Sequence, residues 1–406
     1  MYIKRHIEST IAKSLSAFPS VLLTGPRQVG KSTLLKTDFR SIQYVTLDDP
    51  LVLMSIKQDA MGFFKLYPSP LVLDEIQRIP ECFIVLKYLI DSDRHAGMYL
   101  LTGSQKYELM QHVSESLAGR VCIMNMLGLS NREIDGDDFN SPFIPTTEYL
   151  TNRHSETKLS PGNLWERIHR GSLPELYSND NMDWEQYYAS YVSTYIERDV
   201  RQLISVGDLL TFVQFMTALA SRTGELLNMS SIAKDVGVDS KTIKKWISVL
   251  QASNIIYLLQ PYSLNVTKRI IKTPKVYFTD TGLVCYLCKW LTPETLMNGA
   301  MAGNIYETYI VSEILKSYYN VGKEPNLYFF RNTDGKEIDL LIHQDQTLYP
   351  IEIKKTSSPN IKDVKNFKIL SDYFPTLTIG EGGVICNAEN LLPLAQGIKI
   401  IPYNLI

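Results

Sequence analysis

Two glycines, Gly25 and Gly30, frame Pro26, Arg27, Gln28 and Val29 and are followed directly by Lys31, Ser32 and Thr33. This is the spacing of a phosphate cradle. Glycine permits the tight curvature that turns consecutive amide N–H groups toward an anion, and a helix starting behind the loop adds its positive N-terminal dipole. Lys31 would reach the β- and γ-phosphates, and Ser32, with Thr33 beside it, offers the hydroxyl that completes a magnesium shell. The alternative is a glycine turn carrying an exposed lysine. A partner carboxylate stands in Pro70-Leu71-Val72-Leu73-Asp74-Glu75, where an apolar run ends in two acids. Asp74 would hold magnesium, directly or through water, and Glu75 could polarise the attacking water as general base; the alternative is a solvated acidic turn. A third run, Met98 to Gln105, ends in Thr102 and Ser104, which either orient the water and sense the γ-phosphate or merely cap a helix. A separate constellation lies near the carboxyl end: Asp339, then Glu352-Ile353-Lys354.

These residues need elements to hold them. The runs Val21 to Thr24, Leu71 to Leu73 and Tyr99 to Leu101 are continuously apolar, as strands covered on both faces are, so a parallel α/β sheet is expected with its ligand at the carboxyl edge. Near the carboxyl end, Phe329 to Ile342 reads as two strands turning at Asp334-Gly335, and Tyr349 to Lys355 as a third. Residues two apart share a strand face, so Glu352 and Lys354 point the same way while Ile351 and Ile353 face a core.

The chain resembles the AAA-type P-loop ATPases of bacteria and archaea that carry a C-terminal domain of unknown function. The resemblance spans nearly the whole length. It rests on GPRQVGKST, on Tyr44 to Pro50, on LVLDEIQRIP, on LLTGSQ, on Ser116 to Val121, on Gly171 to Leu176 and on Tyr195 to Val200. It implies a helical lid after the sheet, ATP rather than another purine nucleotide, and a cation near the γ-phosphate. Arg120, Arg198 and Arg201 are the candidates for that cation, in cis or from a neighbouring subunit; surface ion pairing is the alternative for each. The D-x12-E-x-K arrangement resembles the PD-(D/E)XK nucleases. There Asp339 and Glu352 would share a divalent cation, Lys354 would stabilise developing charge, and Glu307 or Glu313 would supply an additional acid. A solvated ion-paired strand edge and a nuclease-like fold kept for binding alone are the alternatives, each weightier than cleavage.

With 406 residues, 45% of them hydrophobic, the chain can bury two or three cores. Three parts are expected: an AAA-type core and lid over 1–206 (core about 1–130), a winged helix-turn-helix over 207–290, and a restriction-endonuclease-like α/β domain over 291–406. The stretch Asn131 to Pro161 is polar and weakly periodic, so it reads as a long connection with little core of its own. From Trp165 to Leu203, Trp184, Tyr187, Tyr188, Tyr191 and Tyr195 recur every three or four residues, one aromatic stripe facing inward. Ser230 to Ile243 has helix-turn-helix grammar, with serine or aspartate caps around a turn at Gly237. Its second helix turns Ile243, Trp246, Ile247 and Leu250 inward and leaves Lys241, Lys244 and Lys245 outside. From Ser231 to Lys275 eight Lys and Arg face two Asp, the sign that duplex DNA needs; scaffolding between domains is the alternative. A net charge of −2 excludes a globally basic nucleic-acid binder. Five cysteines are scattered without paired zinc spacing, and Cys285 and Cys288, in an apolar run, read as core thiols. The amino terminus has no apolar signal core, and no window approaches a membrane span, so a cytoplasmic setting is expected. The expected cofactors are ATP and magnesium, the expected partners ATP and duplex DNA, with oligomerisation open.

Overall fold

The computed structural model describes residues 2–103, 116–156, 164–195, 209–264 and 273–406, with Glu156 and Tyr195 by backbone alone. Strands β1 (Ser20–Thr24), β2 (Gln43–Thr46), β3 (Leu71–Asp74), β4 (Tyr99–Gly103) and β5 (Val121–Asn125) form a parallel sheet in the order β2-β3-β4-β1-β5. Their apolar runs are continuous because both faces are covered. Leu22, Leu71, Leu73, Tyr99 and Leu101 face a cluster with Phe63, Phe83 and Leu86. The alternate residues, Val21, Leu23, Val72 and Leu100, face a second cluster that runs on into the carboxyl-terminal half of the chain. One face of the sheet thus packs against the helices between Pro50 and Ser92, and the other against helices Ile7–Leu15 and Lys31–Asp38 and, through them, the later part of the chain.

Among the described residues, a second sheet contains β6 (Ile256–Pro261), β7 (Lys275–Phe278), β8 (Leu327–Arg331), β9 (Glu337–Gln344), β10 (Thr347–Lys354), β11 (Thr378–Ile379), β12 (Gly382–Cys386), β13 (Leu392–Ala395) and β14 (Ile398–Pro402). Its order is β13-β14-β12-β10-β9-β8-β6-β7, with β11 beside β10. The sheet crosses the boundary expected at residue 290, because Gln260 and Pro261 of β6 pair with Tyr328 and Phe329 of β8. Helices Leu209–Ala220, Met229–Val236 and Ser240–Ala252 precede the antiparallel pair β6-β7. Asn228 and Asp239 cap the second and third of these helices, and Gly237 closes the turn in the left-handed region. Ile243, Trp246, Ile247 and Leu250 are buried as their spacing requires.

The stretch after Leu129 differs from the loose connection its polarity suggested. It forms helices Asn131–Ile134 and Thr147–Glu156 and buries Phe143, Tyr149 and Leu150. Its polar residues are internal: the Arg132 guanidinium donates to the carbonyls of Phe139, Ser141 and Ile406, and Arg153 pairs with Asp137 at 2.5 Å. A buried polar group costs little once fully hydrogen-bonded, so low hydropathy did not mean exposure here.

Candidate functional site

Loop 25–30 leaves the carboxyl end of β1 and returns as helix Lys31–Asp38. Gly25 has no alternative, since a Cβ there would lie 2.0 Å from the Met126 carbonyl oxygen. Gln28 (φ +60°) and Gly30 (φ +92°) both adopt left-handed backbone, which curls the loop round. The Lys31 ammonium is buried and donates to the carbonyls of Gly25 (2.9 Å) and Pro26 (2.7 Å), which fix it inside the loop. A phosphate oxygen, which carries negative charge, would attract the ammonium more strongly than these neutral carbonyls do.

Because β4 lies between β1 and β3, Thr102 stands between the loop and the acids. Its hydroxyl donates to Asp74 Oδ1 and accepts from the Glu75 N–H at 3.2 Å. The Tyr44 hydroxyl, from β2 on the other flank, donates to Asp74 Oδ2. Burial, with the Asp74 carboxylate next in size, raises the Tyr44 phenol above its ordinary range and keeps it a donor. Asp74, only 3% exposed, is therefore aimed from both sides. Glu75 holds left-handed backbone (φ +62°), uncommon for a residue with a side chain, and its carboxylate accepts from Gln77 Nε2. A cleft of about 390 Å³ is lined by Arg27, Gln28, Gly30, Lys31, Ser32, Thr33, Glu75 and Thr194. A smaller one of about 100 Å³ opens on the far side of the loop, between Tyr2 and Ile3, Val29 and Thr33, and Pro174 and Ser178. Asp74 and the Ser32 hydroxyl are hard oxygen donors of the kind magnesium takes, so the residues present fit that ion.

The expected residues divide. Lys31, Ser32, Thr33 and Glu75 share the larger cleft, and Thr102 and Asp74 are bonded beside it. Arg120 is elsewhere: it precedes β5 at the amino edge of the sheet, where it pairs with Asp91 at 2.6 Å. In its own chain it is therefore removed from the loop by the length of a strand. Ser104, Arg198 and Arg201 lie outside the described residues. Tyr44, Gln77 and Thr194 were not singled out by sequence. Tyr44 alone gave a signal, an aromatic hydroxyl within the short strand Gln43–Thr46 that runs up to Asp48-Asp49.

In the second sheet Lys354 Nζ lies 2.8 Å from both Asp339 Oδ2 and Glu352 Oε2, and the Ile353 N–H donates to the same Asp339 oxygen at 2.9 Å. Glu352 is buried on what the alternation marked as an open face. Burial, then the Asp339 charge, pushes its carboxyl up to about 9. Glu307 instead accepts from Lys275 (3.2 Å) and Tyr277 (2.5 Å), while Lys275 also pairs with Glu337 at 2.6 Å. Burial raises the Glu307 carboxyl, with Lys275 opposing. Glu313 is not part of this set: it pairs with Lys316 at 2.7 Å and accepts from the Asn131 N–H. Two lysines thus sit among the carboxylates, and among the described residues no cluster of three or more His, Cys, Asp or Glu is arranged to hold a metal.

Residues 17–135 match the family model of an AAA domain, residues 162–294 that of one domain of unknown function (DUF8612), and residues 302–406 that of another (DUF4143). The parallel sheet and its loop are those of a P-loop NTPase. Proteins of Mycobacterium tuberculosis and Mycobacterium bovis, both described as uncharacterized, are 27% identical over 406 residues, 99% of this chain and 84% of theirs. A Walker-type ATPase of Pyrococcus abyssi is 16% identical with a TM-score of 0.45, over 70% of this chain and 96% of that one. DnaA from Aquifex aeolicus, bound to AMPPCP, is 13% identical with a TM-score of 0.29, over 60% and 85%. The AAA-domain match agrees with nucleotide binding at the loop. Among the described residues no helix is long and apolar enough to cross a membrane.

Proposed function

We propose that the chain is a slow magnesium-dependent ATPase whose nucleotide state governs its later domains. The observation that carries this is the convergence of Lys31, Ser32, Asp74, Glu75 and Thr102 on one sheet edge. Lys31 neutralises the β- and γ-phosphates, and the loop amides orient them. Magnesium, held by Ser32 and Asp74, supplies further neutralisation when bound. Thr102 and Tyr44 hold the Asp74 carboxylate in place, while Gln77 steers Glu75, which takes a proton from the attacking water. The smaller cleft between the amino-terminal segment and Pro174 to Ser178 suits the purine end. Arg120, removed from its own loop, serves only a neighbouring subunit if it serves a phosphate at all. Phosphate release from wild type and Glu75→Gln, each with and without duplex DNA, tests the reading. Release by the wild type and its loss in Glu75→Gln is expected; equal release from both overturns the role of Glu75.

A second reading, duplex DNA as effector, is favoured by helix Ser240–Ala252. Lys241, Lys244 and Lys245 are exposed on its outer face, and none forms an ion pair within the described residues. This is the recognition position of a winged helix-turn-helix. The expected wing residues, Lys268, Arg269 and Lys272, lie outside the described residues. Acceleration of phosphate release by duplex, abolished in Lys241→Ala/Lys244→Ala/Lys245→Ala, is expected. The nuclease-like arrangement of Asp339, Glu352 and Lys354 is read as a binding fold, because Lys354 Nζ occupies an oxygen of each acid.

A further inference from the structure

The segment after β10 carries lysines every third residue: Lys362, Lys365 and Lys368. The backbone gives that spacing meaning. Asp363 N donates to Asn360 O, Lys365 N to Lys362 O and Phe367 N to Val364 O, so a 3₁₀ pattern leads into the helix Lys365–Ile369. In this geometry residues three apart eclipse one another. Val364, Phe367 and Leu370 form the buried line, joining the core cluster of Ile338, Leu341 and Val384, and the three lysines form an exposed line. Asp363, the acid within the line, is occupied by the Asn360 N–H at 2.7 Å. None of the three lysines forms an ion pair within the described residues. Asn366 Nδ2 donates to the Glu337 carbonyl at 2.8 Å, which ties this ridge to the start of β9 beside exposed Lys336 of the β8-β9 turn.

We infer that this ridge binds the phosphodiester backbone of a double-stranded nucleic acid, as a surface separate from helix Ser240–Ala252. At about 2.0 Å rise per residue the lysines repeat every ~6 Å. A nucleic-acid strand presents one phosphate per about 3.4 Å of axis, so one ammonium meets roughly every second phosphate. An anionic membrane surface is disfavoured, because binding there draws on apolar residues turned the same way as the cations. Here Val364, Phe367 and Leu370 are turned inward, Asp363 and Asn366 lie between the lysines, and a single large apolar side chain of the ridge, Ile361 at its start, is exposed. Nucleotide hydrolysis plays no part in the inference, which stands or falls separately from the ATPase reading.

The test is fluorescence anisotropy of the full chain with a labelled 20-base-pair DNA duplex and an RNA duplex of the same sequence, across a salt series. Wild type, Lys362→Ala/Lys365→Ala/Lys368→Ala, the corresponding triple Arg variant and Lys241→Ala/Lys244→Ala/Lys245→Ala are compared. Each lost phosphate contact removes about 0.9 from the log–log salt slope, so the Ala ridge variant flattens it by up to about 2.7, or about 500-fold in affinity over a tenfold salt range. The Arg variant retains wild-type binding, since charge and not shape is read. Binding of either duplex with this pattern supports the inference. Absence of duplex binding by wild type, an unchanged slope in the ridge variant, or capture by phosphatidylserine vesicles with no duplex binding overturns it.

Discussion

Arg5, far ahead of Gly25 in the sequence, braces the phosphate loop from behind, and removing it should be costly. Its Nη1 donates to the Val29 carbonyl (2.7 Å), its Nη2 to those of Leu127 (2.8 Å) and Gly128 (3.2 Å), and its Nε lies 3.1 Å from Glu133 Oε1. Both side chains are buried, Arg5 at 3% exposure and Glu133 at 0%. Arg5→Met therefore strips three carbonyls of a donor and leaves a carboxylate buried without its cation, a loss of about 3–5 kcal/mol. With about 2.1 cal/mol/K of unfolding entropy per residue, one-step unfolding of the 406-residue chain turns this into a fall of about 4–6 °C in Tm. The pH dependence carries a sign. Burial pushes the Glu133 carboxyl up, but Arg5 and the N–H groups of Ser130 and His6 outweigh it, so its pKa in the folded state is depressed. The stability this group contributes is present above its unfolded pKa and lost as pH falls through the folded one. Without Arg5 the carboxyl takes up its proton at higher pH, so the penalty of the variant shrinks as pH is lowered from 7.5 toward 5. Calorimetric unfolding of wild type, Arg5→Met and Arg5→Met/Glu133→Gln measures both effects, with the double variant recovering part of the loss. A Tm change below about 2 °C, or a penalty that does not vary with pH, refutes the reasoning.

Two further outcomes follow from buried hydroxyl and carboxyl groups. Thr102→Val removes the donor to Asp74 Oδ1 and the acceptor of the Glu75 N–H; phosphate release should slow by roughly 5- to 150-fold, from a loss of about 1–3 kcal/mol, with KM for ATP little changed. A rise in KM at constant kcat would count against a role in the reacting geometry. Glu352, pushed up to about 9, keeps its proton in the folded state where the unfolded chain has lost it. Stability should then fall as pH rises between the ordinary carboxyl range and about 9, by up to ~1.4 kcal/mol per pH unit. Glu352→Gln stays neutral throughout and should flatten that slope in urea unfolding at pH 5.5, 7 and 8.5. Parallel curves for variant and wild type would show that this carboxyl is ionised at neutral pH.

The phosphate loop, Asp74 and the five parallel strands were legible because each is encoded locally, in glycines at fixed spacing and apolar runs ending in polar residues. The strand order was not, and it is what brings Thr102 between Lys31 and Asp74. Tyr44, Gln77 and Arg5 act through contacts whose partners are set by the sheet or by loop 127–133, and no spacing rule names them. Glu75 carries left-handed backbone that its residue type gives no reason to expect. Residues 131–156 misled in the opposite direction, since Arg132, Glu133 and Arg153 are polar by type and internal by position. In the second sheet the alternation of Glu352 and Lys354 with isoleucines was read correctly as a strand. Its burial on both faces depends on helix Ala302–Tyr319 on one side and on Phe367 and Leu370 on the other.

Isothermal titration calorimetry of the purified chain with ATP and magnesium, run beside Lys31→Ala, tests the central claim most directly. Saturable uptake of one nucleotide per chain by the wild type, with none measurable in Lys31→Ala, is the expected result. Equal uptake by both proteins, or no uptake by the wild type, would contradict a triphosphate held by this loop.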